Sequence, residues 1–353
     1  MVPDKKGFLY PKVDATICNN CGICEKICPF ENRTVKLNIP LTAYAACNKD
    51  REQHLASSSG GAAHVFSTHI IKQGGIVYGC TSDDMCIRHV RVDALSELPK
   101  LQGSKYVQSD VRGLFRQVKT DLKAGNPVLF IGTPCQVAGL KNYIKHIPEH
   151  LYLVDLICHG VPSQQMLKEH ISHVLHGNSA KQLSFRNGSQ FRMNIVSRHG
   201  ADYSSEPHKD MYYRAFLNGI DYRESCYRCP FARRERISDI TIGDFWGLQD
   251  AYFPPLNKAD GISVILPSTE KGKNLINATK MEMQSYERSV QEAVDGNTQL
   301  RHPMERSFSH RIFNTLYPML SFDVSVKCSI LHCKIHTFVK ICKNHITHGF
   351  IRR

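Results

Sequence analysis

Hydrophobic positions in the first half of the chain alternate between short unbroken runs and stretches with helical spacing. The unbroken runs predict buried strands over residues 127–132 and 151–158, and shorter strand-like segments predict strands over residues 43–48, 76–81 and 87–93. Apolar residues three or four positions apart predict helices over residues 57–75, 110–125, 137–146 and 163–177. Strands that alternate with helices form a parallel sheet with helices on its faces, so we predict an α/β fold with a mostly parallel sheet core.

The pattern changes at about residue 181, where shorter strand-like segments follow one another. Strands are predicted over residues 181–187, 190–198, 239–248 and 261–267, with Gly188 in the turn between the first two. Helices are predicted over residues 269–280 and 287–294. The sequence therefore predicts that a β-rich C-terminal part is added to the parallel core.

Length and composition restrict the class of protein. The chain has 353 residues, enough for two or three compact units, and 42% of them are hydrophobic. No apolar run of the length that crosses a bilayer occurs, and the first ten residues lack an apolar signal region, so we expect a cytoplasmic protein. In that reducing compartment the 14 cysteines are thiols or metal ligands and not disulfides.

The net charge of +13 is concentrated at the C-terminus. Residues 302–353 contain eight Lys or Arg but only two acidic residues, Glu305 and Asp323. No nucleic-acid-binding motif accompanies these charges, so an anionic cofactor, an acidic protein or a lipid surface is the better partner. Two interpretations of this basic tail remain open, a helix docked on the core and contact with a membrane surface.

A run of cysteines near the N-terminus has the spacing C-x2-C-x2-C-x3-C-P, formed by Cys18, Cys21, Cys24 and Cys28. Three thiolates on one tight loop can bind three corners of a 4Fe–4S cluster, and the fourth cysteine of such a run usually binds a second cluster. Zinc is the alternative, but zinc sites usually use two separate C-x2-C pairs. The ligand for the fourth corner is left open, with Cys28 and Cys47 as candidates.

Four more cysteines follow predicted strands or form a pair. Cys135 and Cys158 each follow a buried strand, and Cys226 and Cys229 form a C-x2-C pair. Ligands gather at the carboxyl ends of parallel strands, and neighbouring strands lie about 4.8 Å apart, so these thiols could share a second cluster. The alternative is that Cys135 and Cys158 are small buried core residues, and the spacing alone does not decide between the two.

Glycine-rich turns form a third group of candidate site residues, in this case for binding a phosphate group. Free backbone N–H groups at the start of a helix attract phosphate, although neither a Walker loop nor a G-x-G-x-x-G fingerprint is present. Together the turns favour a nucleotide-like cofactor with phosphates. The residues are Ser58, Ser59, Gly60, Gly61, Gly103, Ser104, Lys105, Tyr106, Gly132 and Thr133.

Two further features lie near the cysteine pair in sequence. Trp246, the only tryptophan, either belongs to the core or lies beside a flavin. The basic loop at residues 228–236 is either solvated or an anion clamp, since arginine binds phosphate and carboxylate with two hydrogen bonds. No arrangement of catalytic side chains can be assigned.

The order of several motifs resembles the coenzyme F420 hydrogenase/dehydrogenase beta-subunit family. The motifs are GFLYP, SSSGG, GSKYVQS, GTPCQVAGLK, VDLICHGVPS, FRN, CYRCPFA and SDITIGDFWG. The resemblance extends from residue 7 to about residue 300. It implies a flavoprotein with iron–sulfur clusters that passes electrons between a hydride carrier and a cluster chain. Some similar bacterial proteins look tied to surface-polysaccharide pathways.

The resemblance also implies roles for the cysteines. Cys135, Cys158, Cys226 and Cys229 match positions that bind an inner cluster in the family. Relatives with a ferredoxin domain usually have two cysteine motifs with GFLYP between them, and the first motif is absent here. We therefore expect the N-terminal run to bind a complete cluster only with a thiolate from elsewhere.

These observations lead to a full prediction. We expect a partial 4Fe–4S ferredoxin-type segment at 1–34, a flavin-binding unit at 40–125, a unit with the inner cluster at 126–300 and a basic tail at 301–353. The expected function is a flavin- and iron–sulfur-dependent oxidoreductase with FAD and one or two 4Fe–4S clusters. Its expected partners are a redox protein or reduced ferredoxin and a hydride-carrying coenzyme, without nucleic acid. The alternatives are an electron-transfer accessory protein of polysaccharide biosynthesis without its own substrate, and a non-enzymatic zinc-binding module.

Overall fold

A computed structural model of the chain describes residues 1–31, 36–83, 85–248 and 258–332. Most strands belong to one eight-stranded sheet, while β8 to β10 form a separate three-stranded sheet and β1 and β2 an N-terminal hairpin. The strands are β1 (Val2–Pro3), β2 (Leu9–Tyr10), β3 (Ala43–Asn48), β4 (Ile76–Asp83), β5 (Cys86–Val92), β6 (Val128–Gly132), β7 (Leu151–Leu156), β8 (Ala180–Asn187), β9 (Gln190–Ser197), β10 (Tyr203–Ser205), β11 (Ile240–Asp244), β12 (Ser263–Pro267) and β13 (Met283–Arg288).

The large sheet has the strand order β13-β3-β12-β11-β7-β6-β4-β5. Its centre is parallel, because β4, β6, β7 and β11 pair in the same direction, and the outer strands are antiparallel. In the register of β6 and β7, Val128 pairs with Leu151 and Gly132 with Asp155, so the two strands end side by side. The predicted α/β fold with a parallel core is confirmed, and the antiparallel flanks and small sheet supply its β-rich part.

Helices cover both faces of the large sheet. They are α1 (Ile23–Ile27), α2 (Arg51–Leu55), α3 (Ala62–Lys72), α4 (Leu114–Lys123), α5 (Pro134–Ile144), α6 (Gln164–Val174), α7 (Met211–Leu217), α8 (Glu270–Ala278), α9 (Val290–Gly296) and α10 (Phe308–Leu316). Leu129 of β6 is buried with α3 and α8 on one face, whereas Val128 and Phe130 are buried with α4 and α5 on the other. This alternation follows from the strand geometry, which points successive side chains to opposite faces.

A second core lies between the three-stranded sheet and α6, α7 and α10. Phe185, Tyr212, Phe313 and Phe322 are buried there, and Phe8 of the N-terminal segment packs into the same cluster. Residues 322–332 are helical, so the described part of the predicted basic tail contains two helices with buried residues. Residues 333–353, where most of the predicted membrane-contacting stretch lies, are outside the described residues.

A buried ion-paired histidine connects the elements of this second core. His170 on α6 bonds Asp210 at 3.0 Å and Asp323 at 2.8 Å. Burial lowers the pKa of His170, but the two carboxylates outweigh this effect and raise it to about 9. The imidazolium therefore joins α6 to the N-cap of α7 and to the helical residues 322–332.

One predicted helix starts later than expected. Residues 283–288 form the edge strand β13, paired with β3, and α9 begins at Val290 after Ser289 caps it. The helix prediction over 287–294 is therefore wrong at its start, because pairing with a neighbouring strand decided the conformation of those residues.

The large sheet contains strands from both predicted units, 40–125 and 126–300. No helix among the described residues is long and apolar enough to span a membrane.

Candidate functional site

Two cysteines lie at the carboxyl ends of the adjacent parallel strands β6 and β7. Cys135 is in the first turn of α5, whose start is fixed by reciprocal hydrogen bonds between Thr133 and Gln136. Cys158 follows the end of β7 by two residues. Because β6 and β7 end side by side, both thiols lie at the same edge of the sheet.

The C-x2-C pair reaches this edge on a different loop. Cys226 lies in a short 3-10 helix, and Cys229 follows it. The backbone N–H of Arg223 donates to the carbonyl of Val161 at 2.9 Å, which holds the loop against the segment after Cys158. The approach is tight at Gly160, where a β-carbon would lie 2.2 Å from the Tyr222 ring. A residue with any side chain would separate the two loops.

The four thiols are close enough to affect one another's ionisation. The pKa of Cys158 is raised well above its ordinary value, first by burial and then by Cys226, Cys135 and Cys229. Burial and the neighbouring Cys135 raise the pKa of Cys226 to about 12, and those two causes raise that of Cys229 to about 11. Ionising several of these thiols together therefore requires a compensating positive charge, which a metal centre provides.

Backbone N–H groups near each of these sulfurs lower the pKa of its thiol, against the larger effect of burial. Such donors stabilise a negative sulfur and are the usual surroundings of thiolates that bind a metal centre. Thr133 adds a hydroxyl 3.2 Å from the Cys135 sulfur. The backbone donors are those of Cys135 itself and Gln136 to Cys135, of Gly160 to Cys158, of Val161 to Cys226, and of Phe231 and Ala232 to Cys229.

Other cysteines have different surroundings. Cys80 lies beside Lys105 and Ser109, Cys86 beside Arg112, and the buried Cys47 of β3 beside Arg51 and Asp260. Cys333 and Cys342 are outside the described residues. Within the described ranges, no three His, Cys, Asp or Glu side chains are arranged so that they could hold a metal ion as they stand.

The N-terminal cysteine run lies against the helix that contains Cys135. Cys18, Cys21 and Cys24 are exposed and Cys28 is partly buried. The Asn142 side chain of α5 donates to the carbonyl of Ile27 at 3.2 Å. Phe30 meets Phe231 edge to face, with ring centroids 6.5 Å apart. The N-terminal loop is thus a neighbour of the segment that contains Cys229.

The glycine-rich turns are held together by hydrogen bonds. The Ser58 hydroxyl accepts from the Ser104 backbone N–H at 2.7 Å, so the turns at 58–61 and 103–106 meet. Gly60 has a packing role, because a β-carbon there would lie 2.0 Å from the carbonyl oxygen of Ala46. Gly61 adopts φ +81° at the start of α3. The Ser59 hydroxyl is buried and has no hydrogen-bond partner.

A basic pocket of about 530 Å³ opens next to these turns. Lys105 lines it and donates to the carbonyls of Leu101 and Gln102 at 3.1 and 2.7 Å. Burial lowers the pKa of Lys105 to about 8. The buried Ser82 hydroxyl in the lining has no partner. The other polar and charged lining residues are Thr81, Arg88, Arg91, Glu97, Lys100 and Gln102. This lining suits an anionic group such as phosphate.

A buried arginine that sequence reasoning missed connects the turns to the carboxyl end of β11. One Arg186 guanidinium nitrogen donates to the Ser58 carbonyl at 2.6 Å and another to the Tyr106 hydroxyl at 2.9 Å. The guanidinium also pairs with Asp244 at 3.3 Å, while its Nε has no partner. The available signal was the FRN motif at the end of β8, which the predicted site did not include.

Aromatic rings cover this arginine. The guanidinium carbon of Arg186 lies 4.0 Å from the centre of the Phe191 ring. Trp246 stacks on Phe191 with ring centroids 6.2 Å apart and is 43% exposed. Trp246 is therefore not a core residue, and one of its faces is accessible beside Asp244. Tyr106 stacks on Phe191 as well, at 5.8 Å.

Gly132 and Thr133 lie next to a buried histidine that sequence reasoning also missed. His89 contacts the Ser109 hydroxyl through Nδ1 and the Ile131 carbonyl through Nε2, the latter at 2.9 Å. Burial lowers the pKa of His89 to about 4, so the ring is neutral at neutral pH. Its Nε2–H donates to Ile131, which leaves Nδ1 to accept from Ser109. These bonds fix the segment that leads from the basic pocket toward Cys135.

The basic loop divides into two kinds of arginine. Arg236 is buried and pairs with Asp155 of β7 at 3.1 Å, so the anion-clamp hypothesis is wrong for this residue. Arg228, Arg233 and Arg234 are exposed. The ion pair of Arg236 supports the strand end from which Cys158 follows.

Fold and site together define an α/β protein whose cysteines and basic turns converge at the carboxyl edge of a parallel sheet. A family profile that describes the C terminus of the coenzyme F420 hydrogenase/dehydrogenase beta subunit matches residues 125–292. This match confirms the resemblance to that family seen in the sequence.

Individual relatives are distant. The chain is 22% identical over 313 residues to a coenzyme F420-dependent sulfite reductase of Methanocaldococcus jannaschii. That alignment covers 76% of this chain but 47% of the relative, so the chain spans about half the relative's length. A chain of the F420-reducing [NiFe] hydrogenase complex from Methanosarcina barkeri superposes with a TM-score of 0.49 at 15% identity. That superposition covers 74% of this chain and 91% of the other.

Proposed function

We propose that the protein is a flavin- and iron–sulfur-dependent oxidoreductase that passes electrons between a hydride carrier and iron–sulfur clusters. The observation that carries this proposal is the convergence of Cys135, Cys158, Cys226 and Cys229, which affect one another's ionisation and have backbone N–H groups nearby. The relative named as F420-dependent favours a hydride carrier of the deazaflavin class.

The donor set fits a 4Fe–4S cluster. Four thiols are the ligands such a cluster requires, and the N–H groups around them stabilise negative sulfur. When bound, the cluster accepts and releases one electron at a time, and a flavin exchanges two electrons as hydride. Two of the ligands follow the sheet strands β6 and β7, which fixes their separation before any metal binds. The loop with Cys226 and Cys229 supplies the other two.

The turns and the basic pocket are the proposed flavin site. Lys105 and the arginines of the pocket would bind phosphate, and the free Ser82 and Ser59 hydroxyls provide unused hydrogen-bonding groups. Arg186 would orient the ligand through its free Nε. Gly60 is assigned to packing instead, because its missing side chain is needed against Ala46. The segment around Ser109 extends this site toward the cysteines.

The N-terminal run is the proposed second centre. Its loop lies against Phe231, two residues beyond Cys229, so a centre bound there would be a neighbour of the inner cluster. Cys47 is an unsuitable fourth ligand because it is buried in β3 with Arg51 and Asp260 as charged neighbours. A complete N-terminal cluster would then use Cys28 or a thiolate supplied by another segment or protein.

The test is the cofactor content of anaerobically reconstituted protein. We expect about four iron and four acid-labile sulfide per inner cluster, with flavin absorption near about 370 and about 450 nm. Cys158→Ser should remove that iron, whereas the matched control Cys328→Ser should not, because Cys328 lies on the helix of residues 322–332.

Three outcomes would contradict the proposal. Zinc without sulfide would indicate the zinc-binding module, and full iron retention by Cys158→Ser would remove the inner cluster from this site. If reconstituted protein holds both cofactors but reduced deazaflavin coenzyme does not bleach them, an accessory electron carrier without its own substrate is the better description.

A further inference from the structure

A second, separate pocket lies on the surface beside the C-x2-C loop. Its volume is about 600 Å³. Arginines and one glutamate surround apolar residues from two parts of the chain, the segment after Cys229 and the segment around α9. The lining residues are Pro230, Ala232, Arg233, Arg234, Glu235, Val294, Leu300 and Arg301. Apart from Ala232, whose backbone N–H lies near Cys229, none of these residues belongs to the proposed cofactor sites.

The rim of this pocket has an excess of positive charge. Arg233 pairs with Glu235 at 2.6 Å, which neutralises one arginine. Among the described residues, Arg234 and Arg301 form no ion pair, and both are exposed. Two unpaired guanidinium groups therefore face solvent around an apolar floor. Solvated surface arginines are common, but here the apolar floor makes the patch resemble the centre and rim of a protein interface.

The pocket shares a wall with the inner cysteine site. Pro230 and Ala232 line it, and between them Phe231 packs inward against Phe30. Cys229 directly precedes this wall. A protein bound at the pocket would thus be separated from the Cys229 sulfur by only a short segment of chain.

We propose that this arginine-rimmed pocket is the docking surface for a small acidic iron–sulfur electron carrier. The partner would place an apolar side chain on the floor and carboxylates against Arg234 and Arg301. This complementarity favours an acidic partner and speeds its encounter with the basic rim. The inference rests on the proposed redox function for the nature of the partner, whereas the pocket and its arginines are present in the chain without any cofactor.

The transfer across this surface is a simple one-electron exchange. With a cluster bound, one electron would leave the reduced carrier, which is oxidised by one, and would reduce by one the centre that the cysteines would hold. No bond forms or breaks and no proton moves. The protein residues contribute position and charge, because Arg234 and Arg301 hold the carrier beside the segment that follows Cys229.

The experiment measures the affinity for a bacterial two-cluster ferredoxin by calorimetry, using the full chain. The double variant Arg234→Glu/Arg301→Glu should weaken binding about tenfold or more at low ionic strength. The control Lys168→Glu/Lys181→Glu makes the same change in net charge at exposed residues of α6 and β8 and should change affinity less than about twofold. Raising salt from about 50 to about 300 mM should weaken binding to the unmodified chain and abolish the difference between the variants.

Equal weakening by both double variants would show that net charge alone matters and would overturn the proposal. So would unchanged binding in the Arg234→Glu/Arg301→Glu variant. Displacement of ferredoxin by inorganic phosphate at constant ionic strength would assign the pocket to small anions instead. A failure of the proposed function is recognised separately, because it appears as missing iron or flavin in the unmodified chain and not as a change in ferredoxin affinity.

Discussion

Phe30 and Phe231 meet edge to face with ring centroids 6.5 Å apart, and each ring follows a Cys-Pro pair. The contact joins the N-terminal cysteine loop to the loop that supplies two thiols of the inner site. Two segments about 200 residues apart in sequence, 28–30 and 229–231, thus present the same three residue types to one another. This arrangement places the two proposed redox centres next to each other.

Phe30→Ala should release the N-terminal loop from the body of the protein. An aromatic pair contributes about 0.5–1.5 kcal/mol beyond its buried area. The loop is also held by the Asn142 hydrogen bond to the Ile27 carbonyl, which the substitution leaves in place. We expect faster limited proteolysis within residues 1–31, with little change in the melting temperature. Val13→Ala is the matched control, since Val13 is 62% exposed. Equal cleavage rates for the two variants would show that the aromatic contact does not anchor the loop.

Arg186→Lys should weaken flavin binding. Lysine keeps the charge but cannot bond the Ser58 carbonyl, the Tyr106 hydroxyl and Asp244 with one planar group. Loss of one charged hydrogen bond corresponds to about a tenfold loss in affinity. Flavin titration followed by fluorescence would measure the affinity of the variant for flavin. Arg192→Lys on β9 is the control and should keep the affinity of the unmodified chain. Unchanged affinity in Arg186→Lys would exclude this arginine from the flavin site.

Gly60→Ala should destabilise the fold and not merely the ligand site. The added carbon would lie 2.0 Å from the Ala46 carbonyl and 2.6 Å from the Ser263 nitrogen. Overpacking of this kind costs about 1–3 kcal/mol or more. In Gly103→Ala the added carbon meets nothing within 4 Å, so only the cost of φ +80° remains, about 1–2 kcal/mol. Urea unfolding would measure the free energy of unfolding of both variants. A smaller decrease in that free energy for Gly60→Ala than for Gly103→Ala would contradict the packing role.

The ion pairs of His170 should make stability depend on alkaline pH. Its pKa is raised from 6.5 to about 9, so the protonated ring contributes its full stability below about pH 6.5. This contribution, on the order of 3 kcal/mol, is lost as the pH rises through about 9. Melting temperatures between pH 6 and 10 would show the decline. In His170→Gln the decline should disappear, and its persistence would assign the effect to another group.

Local sequence patterns were sufficient for much of the sheet. The unbroken apolar runs identified β6 and β7, and the residues that follow them placed Cys135 and Cys158 at a common edge. The edge strand β13 was missed, because Met283–Arg288 has no strong apolar alternation and becomes a strand by pairing with β3. A strand whose conformation depends on a distant partner gives only a weak local signal.

In the candidate site, too, some residues can be recognised from local sequence and others only from contacts with distant parts of the chain. Cysteine spacing and glycine turns are properties of short segments, so they can be read from the sequence. The role of Arg186 cannot, because it depends on Ser58, Tyr106 and Asp244, which lie 128, 80 and 58 residues away in the chain. The same holds for the packing of Gly60 against Ala46, because this contact forms only when the glycine turn folds onto strand β3.

The sequence by itself determined the α/β class, most strands of the large sheet, the family resemblance and the residue types available for a cluster. Each of these depends on periodicity or spacing within a few residues. Only the tertiary structure brought the loop with Cys226 and Cys229 to the edge where Cys135 and Cys158 lie, put Phe30 against Phe231, and opened an arginine-rimmed pocket beside Cys229. These relationships need loops from distant parts of the chain at one sheet edge, and their proximity follows from strand order, which local patterns do not encode.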